Sequence, residues 1–188
     1  VIIHTKKENG FMMTKEELEN AYSAKTKAVV LTTPSNPTGQ VMSRADLEMV
    51  AEFAVSHDIL VVSDEIYEKL LYDDSKHTSI ASLPEMAMRT IIINGVSKAY
   101  AMTGWRIGFA ASKNPDFISA MIRVLQYTVT CATSVSQYAA EAALNGPQEC
   151  IEEMRVQFDE RRKLVYKSIN EIEGLSCNCP KGAFYCFM

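Results

Sequence analysis

The sequence of 188 residues lacks any run of basic side chains: 19 lysines and arginines are interspersed with 23 acidic residues, and the net charge is −4. Nucleic acid and anionic membrane surfaces are therefore poor candidates as partners, because both attract basic patches. No apolar run approaches the ~20 residues that a membrane-spanning helix needs. Internal repeats and low-complexity segments are also missing, which argues against a repeat architecture.

The five cysteines form no C-x-x-C pair, so neither a zinc site nor a dithiol redox motif is indicated. Their odd number fits reduced thiols, and the expected location is the cytoplasm. The three histidines, His4, His57 and His77, lack the spacing of metal ligands. We predict that each of them lies at the surface or in packing contacts, and we expect no metal site.

The composition that remains, 47% hydrophobic and 22% charged, is that of a globular protein. The length allows about one domain with part of a second. The last residues, Ala183–Met188, form an apolar run with strand character that no turn closes. Because natural termini rarely lie inside such a run, we expect an internal piece of a longer protein.

Short apolar runs alternate with amphipathic segments along most of the chain. Four strands are predicted: three buried ones at 27–32, 59–63 and 90–94, and a fourth at 107–111. Helices are predicted at 14–25, at 43–57, twice within 115–145 with a break near 130–134, and at 148–172. Strands that alternate with helices favour an α/β fold of three layers (α/β/α), with a mainly parallel sheet covered on both faces.

Polar side chains follow three of the predicted strands. Asn36 comes after the first strand, Asp64 and Tyr67 after the second, and Ser97 and Lys98 after the third. The carboxyl ends of parallel strands share one edge of a sheet, and open α/β sheets bind ligands outside that edge. One aspartate at a strand end is commonly only a helix cap, but three polar clusters at a shared edge predict an active site.

The chemistry of these side chains favours one cofactor. Lys98 is a candidate amine nucleophile that could form a Schiff base. Ser97 and Arg106 could hold a phosphate, one through its hydroxyl and the other through its guanidinium. Together with a carboxylate, a phenol and an amide, these groups suit pyridoxal 5'-phosphate. Asp64 would then bind the ring nitrogen, and a protonated ring is a better electron sink.

Three motifs resemble the class I/II aminotransferases of pyridoxal-phosphate fold type I. They are Ser-Asn-Pro-Thr-Gly at 35–39, Ser-Asp-Glu-Ile-Tyr at 63–67, and Ser-Lys-Ala-Tyr-Ala-Met-Thr-Gly-Trp-Arg-Ile-Gly at 97–108. The stretch 64–73 is similar to bacterial aspartate aminotransferases, and 180–185 resembles the first strand of the family's small domain. The resemblance extends over essentially the whole chain.

The resemblance implies the same roles that the residue chemistry suggested. Lys98 would be the catalytic lysine that carries the cofactor. The cofactor-binding residues would be Asn36 and Tyr67 on the ring oxygen, Asp64 on the ring nitrogen, Ser97 and Arg106 on the phosphate, and Lys98 itself. The resemblance also implies a cis peptide bond before Pro37 and places Phe184 at the border of the substrate pocket.

The resemblance further implies that residues 1–147 are part of the large cofactor-binding domain. Residues 148–188 would supply an interdomain helix and the start of a small domain. The implied reaction is transamination of an amino acid, with aspartate preferred, by a 2-oxo acid in a homodimer. The family's N-terminal glycine-containing loop, its ring-stacking aromatic residue and its substrate-binding arginine are not found here. We therefore expect the isolated chain to be nearly inactive.

Two other functions are compatible with the same residues. A pyridoxal-phosphate lyase or synthase on this scaffold would keep the same cofactor contacts, so the motifs alone do not separate it from a transaminase. A ligand-sensing, aminotransferase-like domain of a regulator is the third possibility. Loss of the lysine would have favoured a sensor, whereas Lys98 is present. Since fold alone does not fix function, the residues of the site must decide among these three functions.

Overall fold

The computed structural model describes all 188 residues and contains four strands and five α-helices. The strands are β1 (Ala28–Thr32), β2 (Leu60–Asp64), β3 (Thr90–Gly95) and β4 (Gly108–Ala111). The helices are α1 (Lys15–Ala21), α2 (Arg44–Ser56), α3 (Pro115–Thr128), α4 (Ser134–Asn145) and α5 (Glu149–Asn170). None of the helices is both long enough and apolar enough to cross a bilayer.

The strands form one sheet in the order β1-β2-β3-β4. The first three are parallel, with Val61 of β2 paired to Val29 of β1 and to Thr90 of β3. β4 runs antiparallel to β3, because the connection between them contains no helix that could return the chain to the starting edge. The carboxyl ends of the three parallel strands therefore lie at one edge, as the sequence predicted.

The main core lies between one face of the sheet and the helices α1 and α2. Capping boxes fix where these helices begin, with Thr14 paired to Glu17 and Ser43 paired to Asp46. The cluster of thirteen buried residues draws on both helices and on the sheet, and it comprises Leu18, Leu31, Met42, Leu47, Val50, Ala51, Phe53, Ala54, Ile59, Val61, Ile80, Leu83 and Met86. The predicted α/β fold class with a mainly parallel sheet is confirmed, and α1 and α2 cover this one face of the sheet.

The helix α1 ends at Ala21, earlier than the predicted end at residue 25. The backbone N–H of Ser23 donates to the hydroxyl of Thr26 (3.0 Å), and the N–H of Lys25 donates to the hydroxyl of Ser23 (3.3 Å). Serine and threonine side chains that bond nearby backbone groups compete with helical hydrogen bonds. A local turn therefore replaces the last turn of the predicted helix.

The second face of the sheet and the helix α3 are open. Val30 and Ile93 on the sheet are exposed, and α3 contains no buried residue although it is rich in apolar side chains. Both predicted helices within 115–145 are present, and α3 and α4 are separated by residues 129–133. Most of the apolar surface of α3 is thus exposed in this chain, while Phe117, Ile118 and Met121 are half-buried.

The helix α5 is attached to the segment after β2 by two guanidinium groups, those of Arg155, which donates to the carbonyl oxygen of Leu71 (3.3 Å), and of the buried Arg162. Arg162 donates to both carboxylate oxygens of Asp73 (2.9 and 3.0 Å) and to the carbonyl oxygen of Pro180 (2.8 Å). The predicted strand at 180–185 is wrong as a strand, since it makes only a single bridge between Gly182 and Leu71. Ala183 has a φ of 57°, which interrupts the extended backbone.

Candidate active site

The turn after β2 presents two of the predicted site residues. Asp64 is the last residue of β2, and its carboxylate accepts a hydrogen bond from the backbone N–H of Ile66 at 3.1 Å. This short-range bond bends the chain immediately after the strand. Tyr67 follows in the same turn with its side chain buried against Leu70 and Ala183. The carboxylate and the phenol are therefore held by one compact stretch.

The phenol of Tyr67 is paired and kept neutral. Its oxygen lies 2.6 Å from the hydroxyl oxygen of Tyr185. Burial raises the pKa of Tyr67 far above its ordinary value, and the Tyr185 phenol and the negative charge of Asp64 raise it further. The amide of Asn36 acts on the same pKa in the opposite direction. Tyr67 consequently keeps its phenolic proton at physiological pH and is able to donate a hydrogen bond.

The amine of Lys98 lies over aromatic rings at this edge. Its Nζ is 5.5 Å from the ring centroid of Tyr67 and 5.5 Å from that of Phe184. Both distances are within the range of a cation–π contact. The two rings meet edge to face, with centroids 5.4 Å apart. Lys98, Tyr67 and Phe184 thus form one group, and Phe184 borders the space next to the amine.

Two glycines bring the ends of β3 and β4 close together. A Cβ on Gly95 would lie 2.8 Å from the Cα of Gly108, and a Cβ on Gly108 would lie 2.9 Å from the carbonyl oxygen of Asn94. Neither position has room for a side chain. Their close approach holds the turn that carries Lys98 beside the segment that carries Arg106.

The three remaining predicted residues are less firmly held. Asn36 is exposed in the loop after β1, and the peptide bond before Pro37 is cis, as the resemblance implies. Ser97 is partly buried and adjoins Lys98. Arg106 is exposed, with a φ of 51°, and its guanidinium donates to the carbonyl oxygen of Thr103 at 2.8 Å. The structure therefore groups Asp64, Tyr67 and Lys98, with Asn36 near the phenol, and leaves Arg106 at the surface.

Two contributors to this edge had no clear signal in the sequence. Tyr185 pairs with Tyr67 across 118 positions of the chain, and the sequence shows only an aromatic residue in an apolar run. His77, predicted at the surface or in packing contacts, is mostly buried, and its Nε2 lies 2.9 Å from the carboxylate of Glu65. Pairing between distant polar side chains is a tertiary property that local patterns do not report.

Comparison with known proteins decides the family. The family model described as aminotransferase class I and II matches residues 1–188. This chain belongs to the class I and II aminotransferases. An aspartate aminotransferase of Bacillus subtilis is 48% identical over 188 residues, which are the whole of this chain and 48% of that protein. The predicted resemblance is thereby confirmed.

Further relatives show the range within this aminotransferase family. The aromatic-amino-acid aminotransferase 2 of Thermococcus litoralis is 47% identical over the whole chain, which covers 48% of that protein. The crystal structure of an aromatic aminotransferase from Pyrococcus horikoshii superimposes with a TM-score of 0.95 at 46% identity, covering 99% of this chain and 50% of that one. The chain spans about half the length of the curated relatives it matches.

Proposed function

We propose that the full-length protein containing these 188 residues is a pyridoxal-phosphate-dependent aminotransferase and that Lys98 is its catalytic lysine. The observation that carries the proposal is the position of the Lys98 amine, 5.5 Å from the ring of Tyr67 and at the same sheet edge as Asp64. The chemistry of this donor set fits the cofactor, since it offers one amine, one carboxylate and one neutral phenol. Membership in the aminotransferase family supports the same conclusion.

Each residue has a defined task in this proposal. When bound, pyridoxal phosphate supplies an aldehyde that reacts with amines and an electron-deficient ring that delocalises negative charge from the substrate Cα. Asp64 would accept a hydrogen bond from the protonated ring nitrogen and keep that proton in place. Tyr67 and Asn36 would donate to the ring oxygen. The Nζ of Lys98 would act as the general base and acid that carries a proton between the substrate Cα and the cofactor carbon.

The phosphate would be held by Ser97 and Arg106. A hydroxyl and a guanidinium form short, charge-assisted hydrogen bonds with phosphate oxygens. In this structure the guanidinium of Arg106 bonds Thr103 at the surface. That bond uses one of the five N–H donors of the guanidinium, so the others could donate to phosphate oxygens while it persists.

The proposed substrates are an amino acid and a 2-oxo acid, with aspartate as the preferred amino donor. Support comes from the aspartate aminotransferase of Bacillus subtilis at 48% identity. The aromatic-amino-acid aminotransferase of Thermococcus litoralis is similar to almost the same degree, at 47%. Aspartate and phenylalanine should therefore be compared directly as donors in the same assay.

The proposal also covers the organisation of the whole protein. Residues 1–147 would belong to the large cofactor-binding domain, and 148–188 would supply the interdomain helix and the start of the small domain. The contacts of α5 with Asp73 and Pro180 support a linking role for that helix, because they join it to segments on either side. A homodimer in the cytoplasm is the expected working state.

A half-reaction tests the proposed activity. The full-length protein, loaded with pyridoxal phosphate, is mixed with L-aspartate in the absence of any 2-oxo acid. We expect the cofactor to be converted to pyridoxamine phosphate and one equivalent of oxo acid to form. The variant Lys98→Ala should lose at least ~10³-fold in rate, since both the nucleophile and the proton carrier are removed.

The exposed Lys113 provides a matched control for that variant. Lys113→Ala should convert the cofactor at the wild-type rate. A protein that consumes the amino acid without forming pyridoxamine phosphate would be a lyase or synthase, and the proposed transamination would be rejected.

A further inference from the structure

A carboxylate that the proposed chemistry does not use is buried beneath the β2 turn. Glu65 is only 3% exposed. Its Oε1 accepts hydrogen bonds from the hydroxyls of Ser63 (2.9 Å) and Ser79 (2.8 Å). Its Oε2 lies 2.9 Å from the Nε2 of His77. Both carboxylate oxygens of Glu65 therefore have hydrogen-bonding partners within the protein.

This network lies directly behind the two proposed ring contacts. Glu65 immediately follows Asp64, the last residue of β2, and its backbone N–H extends the pairing with β3, so the alternation of side chains in a strand places the two side chains on opposite sides. The backbone N–H of Glu65 donates to the carbonyl oxygen of Ile93 (2.9 Å), and its own carbonyl oxygen accepts from the N–H of Glu68 (2.9 Å). Glu65 thus begins the turn that contains Tyr67, with its side chain anchored on the face away from Asp64.

Burying this network costs free energy, because the carboxylate loses its hydration. A buried carboxylate must recover its lost hydration through good hydrogen bonds, and apolar side chains of similar volume stabilise a core equally well or better. The network instead ties β2, through Ser63, to the loop that carries His77 and Ser79. These hydrogen bonds restrain the backbone at the start of the turn between Asp64 and Tyr67.

We propose that Glu65, with His77 as its partner, is a positioning residue that fixes the β2 turn so that Asp64 and Tyr67 both reach the cofactor ring. This inference rests on the proposed function. It does not require Glu65 to touch the cofactor or the substrate. It assigns the network the task of holding two ring contacts at a fixed separation, where a displacement of about 1 Å is costly.

The chain contains a matched control for the His77–Glu65 pair. His57 and Glu19 form the same type of pair, with Nε2 and Oε2 separated by 3.0 Å. Their side chains are 23% and 42% exposed, and His57 lies at the end of α2, ahead of β2 and away from the carboxyl edge of the sheet. A substitution there removes an equivalent contact without affecting the turn.

The experiment compares His77→Gln, Ser79→Ala and His57→Gln in the full-length protein. Binding of pyridoxal phosphate to the apoprotein is measured by equilibrium dialysis, and the Tm of each apoprotein is measured by calorimetry. We expect the dissociation constant to rise roughly tenfold in His77→Gln and severalfold in Ser79→Ala. The control His57→Gln should bind like the wild type. A role in stability alone would lower the Tm and leave the dissociation constant unchanged.

The outcomes separate this inference from the function on which it rests. Wild-type affinity in both His77→Gln and Ser79→Ala would overturn the positioning role while leaving the proposed function intact. If His77→Gln does not fold, Ser79→Ala, which removes only one hydroxyl, decides the question by the same criterion. A wild-type protein that takes up no pyridoxal phosphate would reject the proposed function and this inference with it.

Discussion

The turn after β2 and the segment around β4 reach the same edge of the sheet with very different support. In the β2 turn, Tyr67 and Leu70 are buried, and both carboxylate oxygens of Glu65 are hydrogen-bonded. In the β4 segment, Arg106 and Phe109 are exposed. One half of the candidate site is built by packing within this chain, and the other half is held mainly by backbone pairing with β3.

This difference indicates how the proposed tasks divide. The groups assigned to the cofactor ring, Asp64 and Tyr67, lie in the well-packed half. The guanidinium assigned to the phosphate, Arg106, lies in the open half. Rigid support suits contacts that must keep a fixed separation, whereas a phosphate offers several equivalent oxygens. Variants in the two halves should therefore differ in the size and the kind of their effects.

The largest expected difference is in stability. In the 188-residue chain, Leu70→Ala removes a side chain that is 0% exposed and should lower the free energy of unfolding by about 2–5 kcal/mol. Val124→Ala, at an α3 position that is 65% exposed, should change it by less than about 0.5 kcal/mol. Urea unfolding measures both. Equal losses would show that α3 is packed as firmly as the β2 turn.

The next largest difference between the two halves is expected in their contributions to cofactor affinity. Asp64→Asn in the full-length protein replaces a charge-assisted hydrogen bond with a neutral one, which should weaken pyridoxal phosphate binding by about 10- to 100-fold. Arg106→Lys keeps the charge in the open half and should have a smaller effect. Equilibrium dialysis gives both dissociation constants. The reverse order would show that the phosphate contact, and not the ring nitrogen contact, dominates binding.

A smaller effect is expected where α5 is joined to the well-packed half. The hydrogen bonds from Arg162 lower the pKa of Asp73. A carboxyl group with a lowered pKa stabilises the fold above its unfolded pKa of about 3.9, and that stabilisation is lost as the pH falls through the folded pKa. Since Asp73 is partly exposed, Asp73→Asn should cost only about 1–2 kcal/mol at neutral pH.

The pH dependence of the stability lost in Asp73→Asn tests whether the ion pair with Arg162 is its source. Urea unfolding of wild type and Asp73→Asn should give a difference at pH 7 that shrinks below about pH 4. A difference that stays constant down to the acid limit would mean that the ion pair with Arg162 is not its source.

The smallest expected effect concerns Tyr185. Tyr185→Phe removes the hydroxyl that lies 2.6 Å from that of Tyr67 and should cost about 1 kcal/mol of stability. Cofactor affinity should change by no more than about fivefold, since Tyr67 keeps its buried ring contacts. The exposed Tyr127→Phe is the control. A loss as large as that of Asp64→Asn would make Tyr185 a principal part of the site.

The well-packed half is also the half that the sequence predicted best. Apolar runs, capping boxes and turn residues act over short distances, so the parallel strands and the positions of Asp64 and Lys98 at their carboxyl ends were predicted correctly. The family, the α/β fold class and the cis bond before Pro37 are likewise confirmed. The ligand-binding roles of the six site residues remain predictions.

The predicted strand at 180–185 is wrong, whereas the sequence leaves the direction of β4 and the burial of His77 open. The direction of β4 depends on the connection to β3, and the loss of the strand at 180–185 depends on the left-handed backbone of Ala183 and its contacts with the β2 turn. The burial of His77 depends on a carboxylate twelve positions earlier in the sequence. Such pairings are decided when distant segments meet, and no local pattern encodes them.

Reduction of the full-length protein with borohydride in the presence of pyridoxal phosphate tests the central claim most directly. Borohydride makes the bond between the cofactor and its lysine permanent, and peptide mass spectrometry then locates that lysine. We predict that the pyridoxyl group is found on Lys98, at the edge it shares with Asp64 and Tyr67. A protein that transaminates while the group is on another lysine, such as Lys113, would contradict the account.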